Sequence, residues 1–148
     1  DGASVIDIAA DDRAREMRER PAWITGFEHR IETPAIGARD LTASPSTTAS
    51  AVAATGGDAG SIEVAEIYAP FTHQQIILAD AIGLGPSTRV NPSGGALAAN
   101  PMFSTGLERI GFAARNIFDG SAQRVLAHAT SGPVLQQNLV AVLEGKDQ

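Results

Sequence analysis

The last two apolar runs of the chain, residues 124–128 and 137–143, are separated only by "ATSGPVLQ". A parallel crossover needs about a dozen residues or more, so two strands joined this closely must pair antiparallel. Earlier in the chain, strand-like runs alternate with helical patterns, which favours parallel pairing through crossovers. The two patterns together predict an α/β fold: a mixed five-stranded sheet with helices on both faces.

The individual elements follow from periodicity and punctuation. Residues 3–9 are small and β-branched and read as a strand. Asp11 or Asp12 caps a charged helix running to about Glu19, where Pro21 stops it. Trp23 to Ile31 alternates as a strand carrying Ile24, Phe27 and Ile31. Residues 34–45 are a loop, after which Ser46 or Thr47 caps the helix "STTASAVAAT", closed by Gly56 and Gly57. Residues 62–67 form a short strand. Residues 71–82 form a helix that is apolar nearly all round and is therefore expected to be buried. Gly83, Gly85 and Pro86 end that helix. Phe103, Leu107, Ile110, Ala114 and Ile117 then recur at spacings of four and three, the clearest amphipathic helix in the chain. The order is β-α-β-α-β-α-(loop)-α-β-β, without internal repeats.

Composition removes several classes of function. At 148 residues with 43% hydrophobic and 19% charged content, the chain is long enough for one domain with a core. A net charge of -6 argues against a nucleic-acid partner, which would need clustered Lys and Arg. The four arginines of "DDRAREMRER" are neutralised by four acids and read as a solvated helix face. There is no cysteine, hence neither a disulfide framework nor thiolate chemistry within the chain. No apolar run approaches the roughly 18 residues of a membrane span, and residues 1–10 resemble no signal peptide. A cytoplasmic protein without membrane insertion is expected. The start at Asp1, without an initiator Met, reads as part of something longer.

Chemistry concentrates around "RVNPSGGALAANP", residues 89–101. Gly94 and Gly95 allow either a tight turn or a close backbone approach by a ligand. Tyr68, the single tyrosine, can donate to a developing enolate or alkoxide; it can equally be a boundary aromatic with its hydroxyl in water. His128 ends a strand and is either an acid–base group or a histidine satisfied by backbone. His73, in the first turn of a helix, reads more readily as structural, and His29 has no motif around it. Three scattered histidines make no metal site, and neither a phosphate-binding loop nor a serine nucleophile elbow occurs.

Five stretches taken in order resemble the C-terminal half of thiolases, in particular the sterol carrier protein-type, lipid-transfer-protein-annotated branch. They are "DGA" at the start, "EIYAPFTHQQIILADAIGLG", "NPSGG", "ANP" before a long helix, and "HATSGPVLQQNLVAVLEG" near the end. The resemblance implies one half of a two-half, five-layered structure, each half in βαβαβαββ order, with the nucleophilic cysteine in the other half. It implies an acyl-CoA substrate, so that coenzyme A enters with the substrate and no cofactor is tightly bound. Tyr68-Ala69-Pro70-Phe71 stands where the family has His-Asp-Cys-Phe. Ala99-Asn100-Pro101 stands where it has Gly-His-Pro, and residues 132–134 stand near its late cysteine. On this alignment Tyr68, His128 and Asn100 are the catalytic candidates, and Ser93, Gly94, Gly95, Phe71 and His73 the substrate-binding ones.

These departures from the family motifs favour retro-aldol cleavage of a β-hydroxyacyl-CoA, in sterol side-chain or lipid degradation. The implied partners are a second copy, in a homodimer or tetramer, and a small OB-fold protein of the DUF35 type. A thiolase with its cysteine in the other half is the alternative, as is a non-catalytic acyl-CoA-binding, lipid-binding or dimer-scaffold module. Tyr68, Asn100 and the Ser131-Gly132 loop are expected at one end of the sheet.

Overall fold

The computed structural model describes residues 2–145. Five strands, β1 (Trp23–Ile31), β2 (Val64–Ile67), β3 (Arg89–Val90), β4 (Arg124–Ser131) and β5 (Gln137–Glu144), form one sheet in the order β1-β5-β4-β2-β3. Between them lie helices α1 (Asp11–Met17), α2 (Pro45–Thr55), α3 (Thr72–Ile82), α4 (Gly95–Ala98) and α5 (Thr105–Phe118). From β1 onward, taking α4 and α5 together, the order is βαβαβαββ. The closing pair β4 and β5 is antiparallel, as its short connection requires, while β2 is parallel to both β3 and β4.

The sheet is covered unequally on its two faces. On one, Ala51 and Ala54 of α2 and Leu78 and Ile82 of α3 pack on Ile67, Leu126, Val140 and Val142. On the other, Ala113 and Ile117 of α5 pack on Val64, Val125, Ala127, Ala141 and Leu143. β1 extends past the cover of α5. Its Ile24 and Phe27 sit opposite Leu143 and Ala141 in the strand pairing, and therefore face the α5 side. Ile24, Phe27 and Ile31 remain 49%, 55% and 60% exposed.

Several expectations are corrected. Residues 3–9 pair with no strand and form no regular element; Val5 and Ile8 are exposed, and Ser4, Val5 and Ile6 lie near Leu107 and Phe112 of α5. β propensity registers a side chain suited to a pleated surface, and it yields a strand only where a partner edge is present. The fifth strand is instead β3, two residues between Pro86 and Pro92, too short to leave a periodic trace. Helix α3 is buried only along Leu78 and Ile82 and leaves Ile76 in solvent, because one of its sides forms the outer layer. Helix α2 starts one residue before the expected cap: Pro45 takes the first helical position and Ser44 precedes it. Asp1, in the "DGA" stretch, lies outside the described residues.

One glycine is dictated by packing. A Cβ on Gly26 would stand 2.0 Å from the carbonyl oxygen of Ala54, so α2 sits directly on the backbone of β1 at that point. A Cβ on Gly37 would meet nothing within 4 Å. Gly26→Ala is therefore expected to lower the unfolding free energy by roughly 3 kcal/mol, the upper end of overpacking costs. Gly37→Ala is expected to change it by less than about 0.5 kcal/mol. Denaturant midpoints of the two variants measure the contrast.

Candidate functional site

Parallel strands deliver their C-terminal ends to one side of a sheet, and loops gather there. β2 ends at Ile67 and hands on to Tyr68, β3 ends at Val90 and hands on to Asn91, and β4 ends at Ser131. Tyr68, the 91–95 loop and the Ser131-Gly132 turn thus share one end of the sheet. Ile67 faces the α2–α3 core, so the next side chain, Tyr68, turns to the α5 side. Its hydroxyl donates to the carbonyl of Met102 at 3.4 Å, just past Asn100 and Pro101. Tyr68 is only 7% exposed. The phenol is therefore neither free in water nor unpartnered.

Asn100 is exposed, and its Oδ1 accepts from the Thr105 hydroxyl at 3.0 Å at the start of α5. Phe71 and His73, at the entry to α3, are also exposed and stack with ring centroids 5.9 Å apart. The chain therefore brings Tyr68 next to the segment containing Asn100. It keeps the phenol and the carboxamide in place by bonds to the entry of α5.

His128 is separated from them by the sheet. It stands opposite Val140, in the layer under α2 and α3, and is fully buried. Asn138 donates through Nδ2 to Leu135 O at 2.8 Å and to Ser46 Oγ at 2.7 Å, which leaves its Oδ1 facing His128 Nε2 at 3.0 Å. The histidine must then carry its proton on Nε2. Nδ1 is buried without a hydrogen-bond partner. Burial pushes the imidazole pKa down to about 4, against a smaller opposing effect of the Asn138 bond. Neutral and shut in, His128 does not share a space with Tyr68.

The "NPSGG" loop is held from below by a charge pair that the sequence pattern did not reveal. Glu66 and Arg109 are both buried, 3.0 Å apart. Glu66 Oε2 also accepts from Ser93 Oγ at 2.6 Å, and Oε1 accepts from Ser93 N at 3.1 Å. Ser93 Oγ accepts in turn from Arg109 Nη1 at 3.1 Å and Gly95 N at 3.2 Å. The serine hydroxyl thus has its donor and both lone pairs engaged within the protein. Asn91, in left-handed backbone at φ 49°, accepts from Ile67 N at 2.6 Å and donates to Gln75 at 2.9 Å. The two glycines meet the loop's own demands. Gly94 and Gly95 have φ of 92° and 59°, and Cβ atoms there would stand 2.7 Å from Ala98 Cβ and 2.8 Å from Asn91 Nδ2.

Glu66 and Arg109 left a faint trace in the sequence. Glu66 is a lone charge in "VAEI", and Arg109 lies four residues after Thr105 and four before Ala113. The buried line of α5 runs through Thr105, Arg109, Ala113 and Ile117, while Leu107 and Phe103 of the expected apolar stripe are exposed. Among the described residues no group of three or more His, Cys, Asp or Glu is placed to hold a metal. Nor is any helix among them long and apolar enough to cross a membrane. A groove of about 980 Å³ opens between α2 and α3, lined by residues such as Val52, Ile77 and Asp80, and contains none of the candidate site residues.

No family model and no curated protein matches the chain. Among solved structures, human mitochondrial 3-ketoacyl-CoA thiolase matches with a TM-score of 0.66 at 17% identity, over 84% of this chain. The chain spans only 30% of that protein. It thus has a thiolase-like fold.

The buried histidine gives the protein a testable acid sensitivity. An unfolded histidine takes up its proton near pH 6.5, whereas the folded one does so only near 4. The associated stability is complete above pH 6.5, falls as the pH drops through that window, and levels off below about 4. The expected loss is roughly 3 kcal/mol. Urea denaturation from pH 7.5 to 4 measures it. His128→Gln should flatten the curve between about pH 6.5 and 4.5, leaving only the carboxylate-linked loss below.

Proposed function

We propose that this chain is the C-terminal half of a thiolase-like enzyme that cleaves the side chain of a β-hydroxyacyl-CoA by a retro-aldol reaction. The observation that carries this is the pairing of Tyr68 with the Asn100 segment at the C-terminal ends of the parallel strands. A phenol and a carboxamide can polarise a thioester carbonyl; neither is a nucleophile suited to thiolysis.

In the proposed step a base takes the proton of the β-hydroxyl and the Cα–Cβ bond breaks. The β-carbon becomes a carbonyl, and the electron pair moves into the thioester as an enolate. Tyr68 moves its hydrogen bond from the Met102 carbonyl to the enolate oxygen, and the protonated base returns its proton to the α-carbon, restoring the thioester. The sheet between His128 and Tyr68 argues for a base outside this chain. The uncovered row of Ile24, Phe27 and Ile31 supports the same division, because a second half seated on the α5 side would bury it. Sterol side chains or other lipids are the proposed substrates, with coenzyme A arriving as part of the substrate. A homodimer or tetramer and a small OB-fold partner protein belong to the same proposal, as does a cytoplasmic setting.

One observation favours a non-catalytic alternative. The hydroxyls of Tyr68 and Ser93 are already bonded within the protein, as they would be in a scaffold or acyl-CoA-binding half. Tyr68→Phe in the complete protein decides between these readings. It should preserve folding and acyl-CoA binding and slow β-hydroxyacyl-CoA cleavage by roughly 10²- to 10³-fold. Cleavage within about threefold of wild type removes Tyr68 from the chemistry. Thiolysis of a β-ketoacyl-CoA without retro-aldol cleavage points to an ordinary thiolase whose cysteine lies in the other half. Cleavage of neither substrate by the wild type leaves the scaffold.

A further inference from the structure

The loop between β4 and β5, residues 132–136, has a backbone that its sequence does not favour. Gly132, Val134 and Leu135 have φ of 71°, 51° and 56°. Glycine adopts that region freely, but for a β-branched valine it is a strained conformation that persists only when its surroundings impose it. The surroundings here are specific. Arg39, on the far side of β1 in sequence, has a side chain only 3% exposed. It donates through Nη1 to Pro133 O at 3.1 Å and through Nη2 to Val134 O at 2.6 Å. The next carbonyl, Leu135 O, is taken by Asn138 Nδ2 at 2.8 Å. Three successive carbonyls are therefore drawn inward by fixed donors.

The guanidinium is itself aimed. Arg39 Nε donates to Glu32 Oε2 at 3.1 Å, and Glu32 Oε1 accepts from Ser46 N and Ser46 Oγ at 3.2 and 2.7 Å. Burial opposes the charge on Glu32, but the two Ser46 bonds and Arg39 outweigh it and hold the carboxyl below its usual range. The carboxylate is thus ionised at neutral pH and fixes the fork that grips the loop. The backbone of the same glutamate reaches the loop too, Glu32 N donating to Gln136 O at 2.8 Å.

We propose that Arg39 is a positioning residue that holds the 132–136 loop in its left-handed conformation, at the end of the sheet that also carries Tyr68 and the 91–95 loop. Arg39 need not touch substrate for this; it acts through the carbonyls of Pro133 and Val134. A lysine would not replace it, because one ammonium cannot present the planar fork that spans two carbonyls while bonding a carboxylate.

Hydrogen exchange in the complete protein tests this without reference to any activity. In Arg39→Ala, amides of residues 131–137 should exchange at least about tenfold faster, while those of 139–143 in β5 keep their wild-type rates. Guanidinium ion at non-denaturing concentration should restore protection, and methylammonium should not. Unchanged loop exchange, or a parallel rise in β5, would overturn the proposal, since Arg39 would then be idle or merely a general stabiliser. Should Arg39→Ala not fold, Arg39→Lys is read in the same way: loop exchange raised with β5 unchanged supports the clamp, and wild-type loop exchange refutes it. A kinetic arm rests on the retro-aldol reading. Given that activity, Arg39→Lys should lower kcat by about tenfold or more with KM little changed, the mark of a loop misplaced at that end of the sheet. An inactive wild-type protein would refute the retro-aldol reading and leave the exchange result standing.

Discussion

The buried ion pair of Glu66 and Arg109 sets the geometry of the proposed site end of this sheet. Removing two charges from water costs several kcal/mol each, and mutual attraction compensates only when the remaining hydrogen-bonding capacity is also used. Here the backbone and hydroxyl of Ser93 supply much of that capacity. Three elements are thereby fixed to one another: β2 through Glu66, the "NPSGG" loop through Ser93, and α5 through Arg109. The rotation of α5 follows from it. With Arg109 turned inward, Leu107 faces outward, and the start of the helix comes to rest above Tyr68.

The sheet acts as a partition between two polar systems. On the α5 side are Tyr68, the Asn100 segment and the Glu66–Arg109–Ser93 cluster. On the α2 side a hydrogen-bonded chain runs from His128 through Asn138 and Ser46 to Glu32 and Arg39. The two strands that carry them, β2 and β4, are joined at the proposed site end by the backbone bond from Tyr68 N to His128 O at 3.1 Å, while the His128 imidazole stays on the α2 side.

Much of the architecture was legible in the sequence because it rests on short-range rules. The antiparallel closing pair followed from a connection too short for a crossover, and the glycine-terminated helices followed from left-handed C-caps at Gly56 and Gly83. What escaped was decided by tertiary contacts. Residues 3–9 carry strand-like side chains, but strand formation depends on a neighbouring edge. The two residues of β3 are too few to show a period. Arg109 falls outside the expected apolar stripe of Phe103, Leu107, Ile110, Ala114 and Ile117, and only the position of Glu66 across the fold turns it inward. For the site, the position of Tyr68 after a strand and of Asn100 before a helix placed both at one end of the sheet. It could not show which face of the sheet His128 would take, nor that Ser93 and the glycines serve the loop's own geometry.

A double-mutant cycle on Glu66 and Arg109, read by equilibrium unfolding, tests this account most directly. Arg109→Met leaves a buried carboxylate without its countercharge and should cost roughly 3–5 kcal/mol. Glu66→Gln should cost a comparable amount, through the unpaired guanidinium. The double variant should fall short of the sum by about 1–3 kcal/mol, the coupling expected of groups in one network. Costs that add to within about 0.5 kcal/mol would show that the two side chains act independently, and the pair could not then be what joins β2, the loop and α5.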